Sequence, residues 1–154
     1  MGRSIHMPSM KITGFGPLPE EKVKELETAV GTKLPTAYRE FLEKTGGGIV
    51  TQDKSNRIRL PAIGKEIAVD VFFGYGVTAN SDVLYWNREY SDELIDDAVL
   101  IGCDVLGGFL FILASDETGL YYWDDSYNFK ESDDRQNVYC LEDNLHTVLS
   151  SVVS

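Results

Sequence analysis

Residues Ala98–Trp123, AVLIGCDVLGGFLFILASDETGLYYW, decide the architecture. Ala98–Cys103 is a continuous apolar run of strand length, rich in branched residues, and reads as a central strand. Asp104-Val105-Leu106-Gly107-Gly108 is a turn, and Phe109–Ala114 is a second buried strand. Ser115–Gly119 is another turn, and Leu120–Trp123 is a third strand ended by Asp124-Asp125-Ser126. Two hairpins in succession predict a meander of adjacent antiparallel strands.

Upstream, short runs of branched and aromatic residues at Ile49-Val50, Arg57–Leu60 and Ala68–Phe73 predict further strands. Between them and the meander, Asn80-Ser81-Asp82 offers caps for a helix through about Tyr90, with Val83, Leu84, Trp86 and Tyr90 apolar. At the start, Pro17-Leu18-Pro19-Glu20-Glu21 suits a first helical turn, because proline lacks only a donor that is orphaned there and early acids complement the helix dipole. Val23, Leu26 and Val30 then recur at helical spacing up to Gly31. A second helix begins at Leu34-Pro35, presents Ala37, Tyr38, Phe41 and Leu42 on one face, and stops at Gly46-Gly47-Gly48. Downstream, Asn128–Gln136 is polar, Val138–Leu141 reads as a last strand, and Leu145, Val148, Leu149 and Val152 predict a helix over Leu141–Val153. The sum is a single α+β domain: an N-terminal helix pair on a mostly antiparallel sheet of about five to six strands, then a C-terminal helix. Met1–Met7 reads as an expression remnant, so residues 1–10 are set apart as remnant and disordered start, and 11–154 as the domain.

Composition narrows the function. A chain of 154 residues with 43% hydrophobic content fits one globular core. No apolar run approaches the roughly 20 residues of a membrane-spanning helix, and no signal-peptide pattern opens the chain, so the expected location is cytoplasmic. Cys103 and Cys140 form no disulfide framework and read as reduced, mostly buried thiols. The net charge is −11, divided unevenly: residues 1–79 carry +2 and residues 80–154 carry −13. Nucleic acid and anionic membranes need clustered Lys and Arg, so neither is expected as a partner. A basic protein partner fits the acidic half.

Catalytic chemistry is sparse. Outside the remnant, which holds His6, the chain has one histidine, His146, three residues after Asp143; a surface helix position accounts for it better than an acid–base pair with Cys140. Asp96-Asp97, Asp124-Asp125 and Asp133-Asp134 lack the alternating spacing and central glycine of a calcium loop. Gly46-Gly47-Gly48 lacks the Lys-Ser/Thr of a phosphate-binding loop and follows a helix, not a strand. A hydrolase built on two carboxylates is a third possibility that no spacing singles out. No catalytic residue, metal ligand or cofactor is therefore assigned.

The aromatics say more. Tyr85, Trp86, Tyr90, Tyr121, Tyr122, Trp123, Tyr127 and Phe129 fall in the acidic half. Strand alternation sends about every second one outward among Asp and Glu, where Tyr and Trp suit an interface. Asp82, Trp86, Glu89, Tyr90, Asp96, Asp124 and Asp125 are the candidate partner contacts, chosen near strand ends and on the middle helix.

Three of these stretches together resemble one family. Leu34–Gly47 resembles the "LP-x-x-Y-x-x-F-L-x-x-x-G-G" helix of the SMI1/KNR4 (SUKH) superfamily, and the helix with Val23, Leu26, Glu27 and Gly31 resembles its opening helix. Phe73-Gly74 sits where that family has a mid-domain "f-G". Val99–Leu113 resembles its "i-x-I-G-x-D-x-x-G-G" strand pair, and Leu120–Asp124 its "V-Y-Y-W-D" strand. The likeness covers about Leu18–Val153; it departs at the last helix, where Leu145 and Leu149 stand in place of an aromatic "F-x-x-F-L". The resemblance implies a non-catalytic role. Bacterial members are widely immunity proteins that neutralise toxin domains, often nucleases or deaminases, of polymorphic and contact-dependent systems. Fungal relatives are regulators of cell-wall synthesis acting through protein contacts. The expectation is an immunity protein for a basic toxin domain, with a protein-interaction scaffold as the alternative.

Overall fold

In the computed structural model, which describes residues 9–132 and 137–154, the Ala98–Trp123 stretch forms the middle of one large curled sheet. The readings placed on Met1–Met7, His6, Asp133-Asp134 and Arg135 lie outside the described residues. In chain order the elements are β1 (Met10–Gly14), α1 (Glu20–Val30), α2 (Thr36–Thr45), β2 (Gly48–Val50), β3 (Arg57–Leu60), β4 (Lys65–Phe72) and α3 (Val83–Glu89). Then come β5 (Ala98–Asp104), β6 (Phe109–Leu113), β7 (Tyr121–Trp123), β8 (Val138–Cys140), α4 (Leu145–Ser150) and β9 (Val152–Val153). The strands lie in the order β8-β7-β6-β5-β4-β2-β1-β9, with β3 paired beside this path to β4. All pairs are antiparallel except β1–β9.

The sheet therefore has nine strands among the described residues, where the sequence predicted five to six. The additions come mainly from the chain ends. β1 reads MKITG, with only Met10 and Ile12 buried, too short a pattern to register as a strand. It exists because β2 and β9 flank it: Ile12 sits opposite Val50, and Met10 opposite Val152. Met10, set apart above with the disordered start, is fully buried. The last helix is likewise shorter than Leu141–Val153. It starts at Asn144, whose side chain accepts from the Thr147 amide at 2.8 Å, and ends at Ser151; the β-branched pair Val152-Val153 then joins β1.

Helix α2 packs on the sheet at β4. Tyr38, Phe41 and Leu42 of α2 are buried, and the Phe41 ring meets Phe72 of β4 edge-on at 5.2 Å. Gly46 ends α2 with φ 73°, its amide on the Leu42 carbonyl; a β-carbon there would lie 1.9 Å from the Gly16 carbonyl oxygen, so the chain permits only glycine. Glu27 fastens the α1–α2 connection by accepting from the Leu34 amide at 2.7 Å.

The β5–β6 turn has its own lock. Asp104 is buried, and its Oδ1 accepts from the Gly108 amide and from the Tyr122 hydroxyl of β7, each at 2.9 Å. Gly107 takes φ 94°, and a β-carbon on Gly108 would lie 2.0 Å from the Tyr122 hydroxyl oxygen. Burial raises the pKa of Asp104, and the charge of Asp124 adds to it, against the lowering effect of the hydrogen bonds from Tyr122, Gly108 and Leu106. Asp104 Oδ2 has no hydrogen-bond partner.

Two outcomes follow from this lock. Gly108→Ala forces the turn against Tyr122 and should cost about 1–3 kcal/mol, as overpacking of a filled core does, read as a lowered urea midpoint. Because the folded chain holds the Asp104 proton more tightly than the unfolded chain, this group favours folding at low pH. That contribution is lost as pH rises from the unfolded value of about 3.9 through the raised folded one. Urea melts at pH 4, 5.5 and 7 should then show Asp104→Asn gaining on the wild type as pH rises; parallel curves would overturn the assignment.

Candidate protein-binding face

The site is built on α3 and the outward face of the meander. Asp82 starts α3: its Oδ1 accepts from the Leu84 and Tyr85 amides at 2.8 and 3.4 Å, its Oδ2 from those of Gly76 and Val77 at 2.8 and 3.2 Å. The sequence placed the cap among Asn80-Ser81-Asp82; Ala79–Ser81 is instead a separate 3-10 turn. One turn into α3, Asn87 turns inward. Its amide donates to the Leu100 carbonyl at 2.9 Å and its carbonyl accepts from the Leu100 amide at 2.9 Å. Asn87 thus mimics a strand residue where β4 has parted from β5, and seats the helix on the sheet.

That seating stacks aromatic rings. Register puts Phe109 opposite Trp123 and Phe111 opposite Tyr121, so these four share a face. From α3, Trp86 stacks on Phe73 at 6.1 Å and on Tyr90 at 6.0 Å. Tyr90 meets Phe109 at 5.1 Å and Trp123 at 5.4 Å, both edge-on, and Phe109 and Trp123 stack at 5.9 Å. Phe109 is buried, whereas Trp86, Tyr90 and Trp123 are half-buried. The Trp86 indole N–H donates to the Asn80 carbonyl at 3.0 Å, and the Tyr90 hydroxyl reaches Asp125 at 3.2 Å. Burial raises the Tyr90 pKa, and the charge and hydrogen bond of Asp125 and the charges of Glu93 and Glu89 push it the same way.

The seven predicted contacts sort into three groups. Trp86, Tyr90 and Asp125 come together at the Tyr90 ring, while Glu89 is exposed beside a cleft with Tyr85 and Arg88. Asp96 is exposed in the loop after α3, beside a cleft that also takes in Arg88, Ser91 and Leu94. Asp82 and Asp124 form the third group, and both hold backbone amides; Asp82 is half-buried beside the cleft with Tyr85 and Glu89. Asp124 is fully buried, and its carboxylate accepts from the Asn128 and Phe129 amides at 2.8 Å each and from the Ser132 hydroxyl, which holds the loop after β7. A buried carboxylate satisfied by backbone amides offers a partner nothing. Glu93, Phe109 and Trp123 were missed as site residues. Antiparallel register alone, applied to the two hairpins, would have put Phe109 and Trp123 on one face.

The remaining chemistry is plain. Cys140 is exposed, contrary to the expectation of mostly buried thiols; Cys103 is half-buried, its thiol pushed up to about 12 by burial, and both are unpaired. His146 is exposed on α4. Among the described residues no group of three His, Cys, Asp or Glu is placed to hold a metal, and no helix is long and apolar enough to cross a membrane.

The model of the SMI1 / KNR4 family (SUKH-1) matches residues 17–150, which span all four helices and the meander, and the chain belongs to that family. A search of curated proteins found no match.

The division among the acids is testable by stability. Asp124→Ala leaves the Asn128 and Phe129 amides unpaired and should cost about 2–4 kcal/mol in urea unfolding. Asp125→Ala removes one long, half-exposed hydrogen bond and should cost under about 1 kcal/mol.

Proposed function

We propose that this SMI1/KNR4-family chain is an immunity protein that binds a cognate toxin domain and blocks it by contact, without catalysis and in the cytoplasm. The observation that carries the reading is the strip of Trp86, Tyr90 and Trp123, half-buried, with Asp125 bonded to the Tyr90 hydroxyl and Glu93 beside Trp123. Such a strip is costly in isolation, since it keeps aromatic area partly wet; contact with a partner removes that area from water. Its acid rim selects for a basic partner, and a nuclease or other nucleic-acid-targeting toxin is basic where it holds phosphates. The net charge of −11 steers such a partner in from a distance. The family to which the chain belongs supplies the expectation of immunity; the scaffold role of the fungal relatives is what remains if no toxin is bound.

The test is binding to, and inhibition of, the toxin domain encoded beside this gene, in stopped flow and in a toxicity assay. Stoichiometric inhibition is expected, with an association rate that falls at least about tenfold between 50 and 500 mM salt. Trp86→Ala with Tyr90→Ala should raise Kd about a hundredfold, as loss of two aromatic anchors does. Asp125→Lys with Glu93→Lys should act mainly on the association rate. Absence of binding to the neighbouring toxin would favour the scaffold reading.

A further inference from the structure

The sheet ends in an open edge at β8. Three contacts set its hydrogen-bond phase: β8 pairs with β7 as Tyr122 opposite Tyr139, the Asp124 amide donates to the Asn137 carbonyl, and the Leu141 amide to the Leu120 carbonyl. Residues 137, 139 and 141 thus face β7, and the N–H and C=O groups of Val138 and Cys140 point the other way. Among the described residues no strand lies beyond β8. One outward group farther along is already paired as a strand pairs: the Glu142 amide donates to the Arg59 carbonyl of β3 at 3.0 Å. The edge is therefore closed at Glu142 and open over Val138 and Cys140.

A groove of about 240 Å³ adjoins this open stretch, floored by Phe111 and Trp123 and walled by Leu94, Ile95 and Val138, with Glu93 at its rim. Ile95 and Val138 are 57% and 44% exposed and adjoin in this groove, so together they present contiguous apolar area. Glu93 is the one charged side chain lining the groove among the described residues, and from residue 80 onward the chain has 16 acids and three bases, Arg88, Lys130 and Arg135.

We propose that β8 accepts an added strand from the partner: an extended segment in which basic residues alternate with apolar ones, its main chain pairing with Val138 and Cys140. Strand addition makes main-chain bonds the source of affinity and leaves specificity to alternate side chains. An apolar side chain of the segment enters the Trp123–Ile95–Val138 groove, and its basic neighbours meet Glu93 and the acid field. This deepens the immunity reading and rests on it for the identity of the partner, since the aromatic strip and the groove share Trp123 and Glu93.

The test uses the whole protein, the neighbouring toxin domain, and an acetylated eight-residue peptide of alternating Lys and Val. Val138→Pro removes an outward donor without touching the β7 ladder; its melting temperature is checked against the wild type. The expected result is peptide binding that slows amide exchange at Val138 and Cys140, binding at least tenfold weaker for Val138→Pro, and none for the Glu–Val peptide. Amide protection on the wild type keeps the test decisive if the variant folds poorly. Toxin inhibition undiminished in Val138→Pro, with the two amides unprotected in the complex, overturns strand addition and leaves the immunity reading standing. Peptide binding at β8 with no toxin binding supports the edge and removes the immunity reading. A dimer of the chain that Val138→Pro abolishes gives the edge to a second copy and overturns the proposal, as does equal binding of the Lys–Val and Glu–Val peptides.

Discussion

The structure turns on a carboxylate taken out of water. Asp104 ends β5, and its Oδ1 binds the Gly108 amide that begins the return and the Tyr122 hydroxyl one strand farther on. A buried acid is costly, and Oδ1 is satisfied only when the turn and the third strand close on it in one arrangement. That arrangement sets the register of β6 on β5 and β7 on β6, because a slip of one residue would carry Tyr122 to the opposite face. It also explains why the turn is Gly107-Gly108: one residue supplies the positive φ and the other leaves room for the hydroxyl. With Tyr122 turned inward, Tyr121 and Trp123 must face outward, and the candidate face follows from the lock.

The acids of the second half do different work from one another, and the net charge conceals it. Asp82, Asp104 and Asp124 hold backbone amides, as an N-cap, a hairpin turn and a loop clasp. Their hydrogen bonds are short and charge-assisted, and they stabilise loops that have few apolar contacts. Glu89, Glu93 and Asp96 are exposed and hold nothing comparable. All contribute to the long-range field, but only the second group can meet a partner at contact distance. Where the two kinds adjoin, at Asp124-Asp125, neighbouring carboxylates face a loop interior and a tyrosine hydroxyl respectively.

Local pattern carried the meander, the two N-terminal helices and their glycine stops, because each has strong apolar periodicity and an unambiguous breaker within a short window. It could not carry β1 and β9. MKITG and the terminal valines are too short to signal, and they become strands only by meeting each other and β2 across the length of the chain. The site was half legible for a related reason. Aromatic and acidic residue types are visible in sequence, and of the candidates chosen that way Trp86, Tyr90 and Asp125 lie together in the structure. Whether an aspartate points at solvent or at an amide depends on turn geometry, which is why Asp124 looked like a contact and is a clasp.

The face that results is a rigid floor with an adjustable rim. Phe109 and Tyr122 are core side chains, and Trp86, Tyr90 and Trp123 are each braced by at least one ring contact, so the aromatic layer cannot shift without disturbing β5–β7. Asn87 pins α3 to Leu100 through two hydrogen bonds and fixes the height of that layer above the sheet. By contrast Glu89, Glu93, Ile95 and Asp96 lie at the end of α3 or in the loop after it, and are exposed or border open clefts. Substitutions there change charge and shape at the surface while leaving the core packing untouched, and surface changes of that kind cost little stability. On the proposed immunity reading, a protein that must match one partner and reject close variants needs this separation. Preorganised anchors spare it the entropy of ordering a site on contact, and an independent rim sets which partner is accepted.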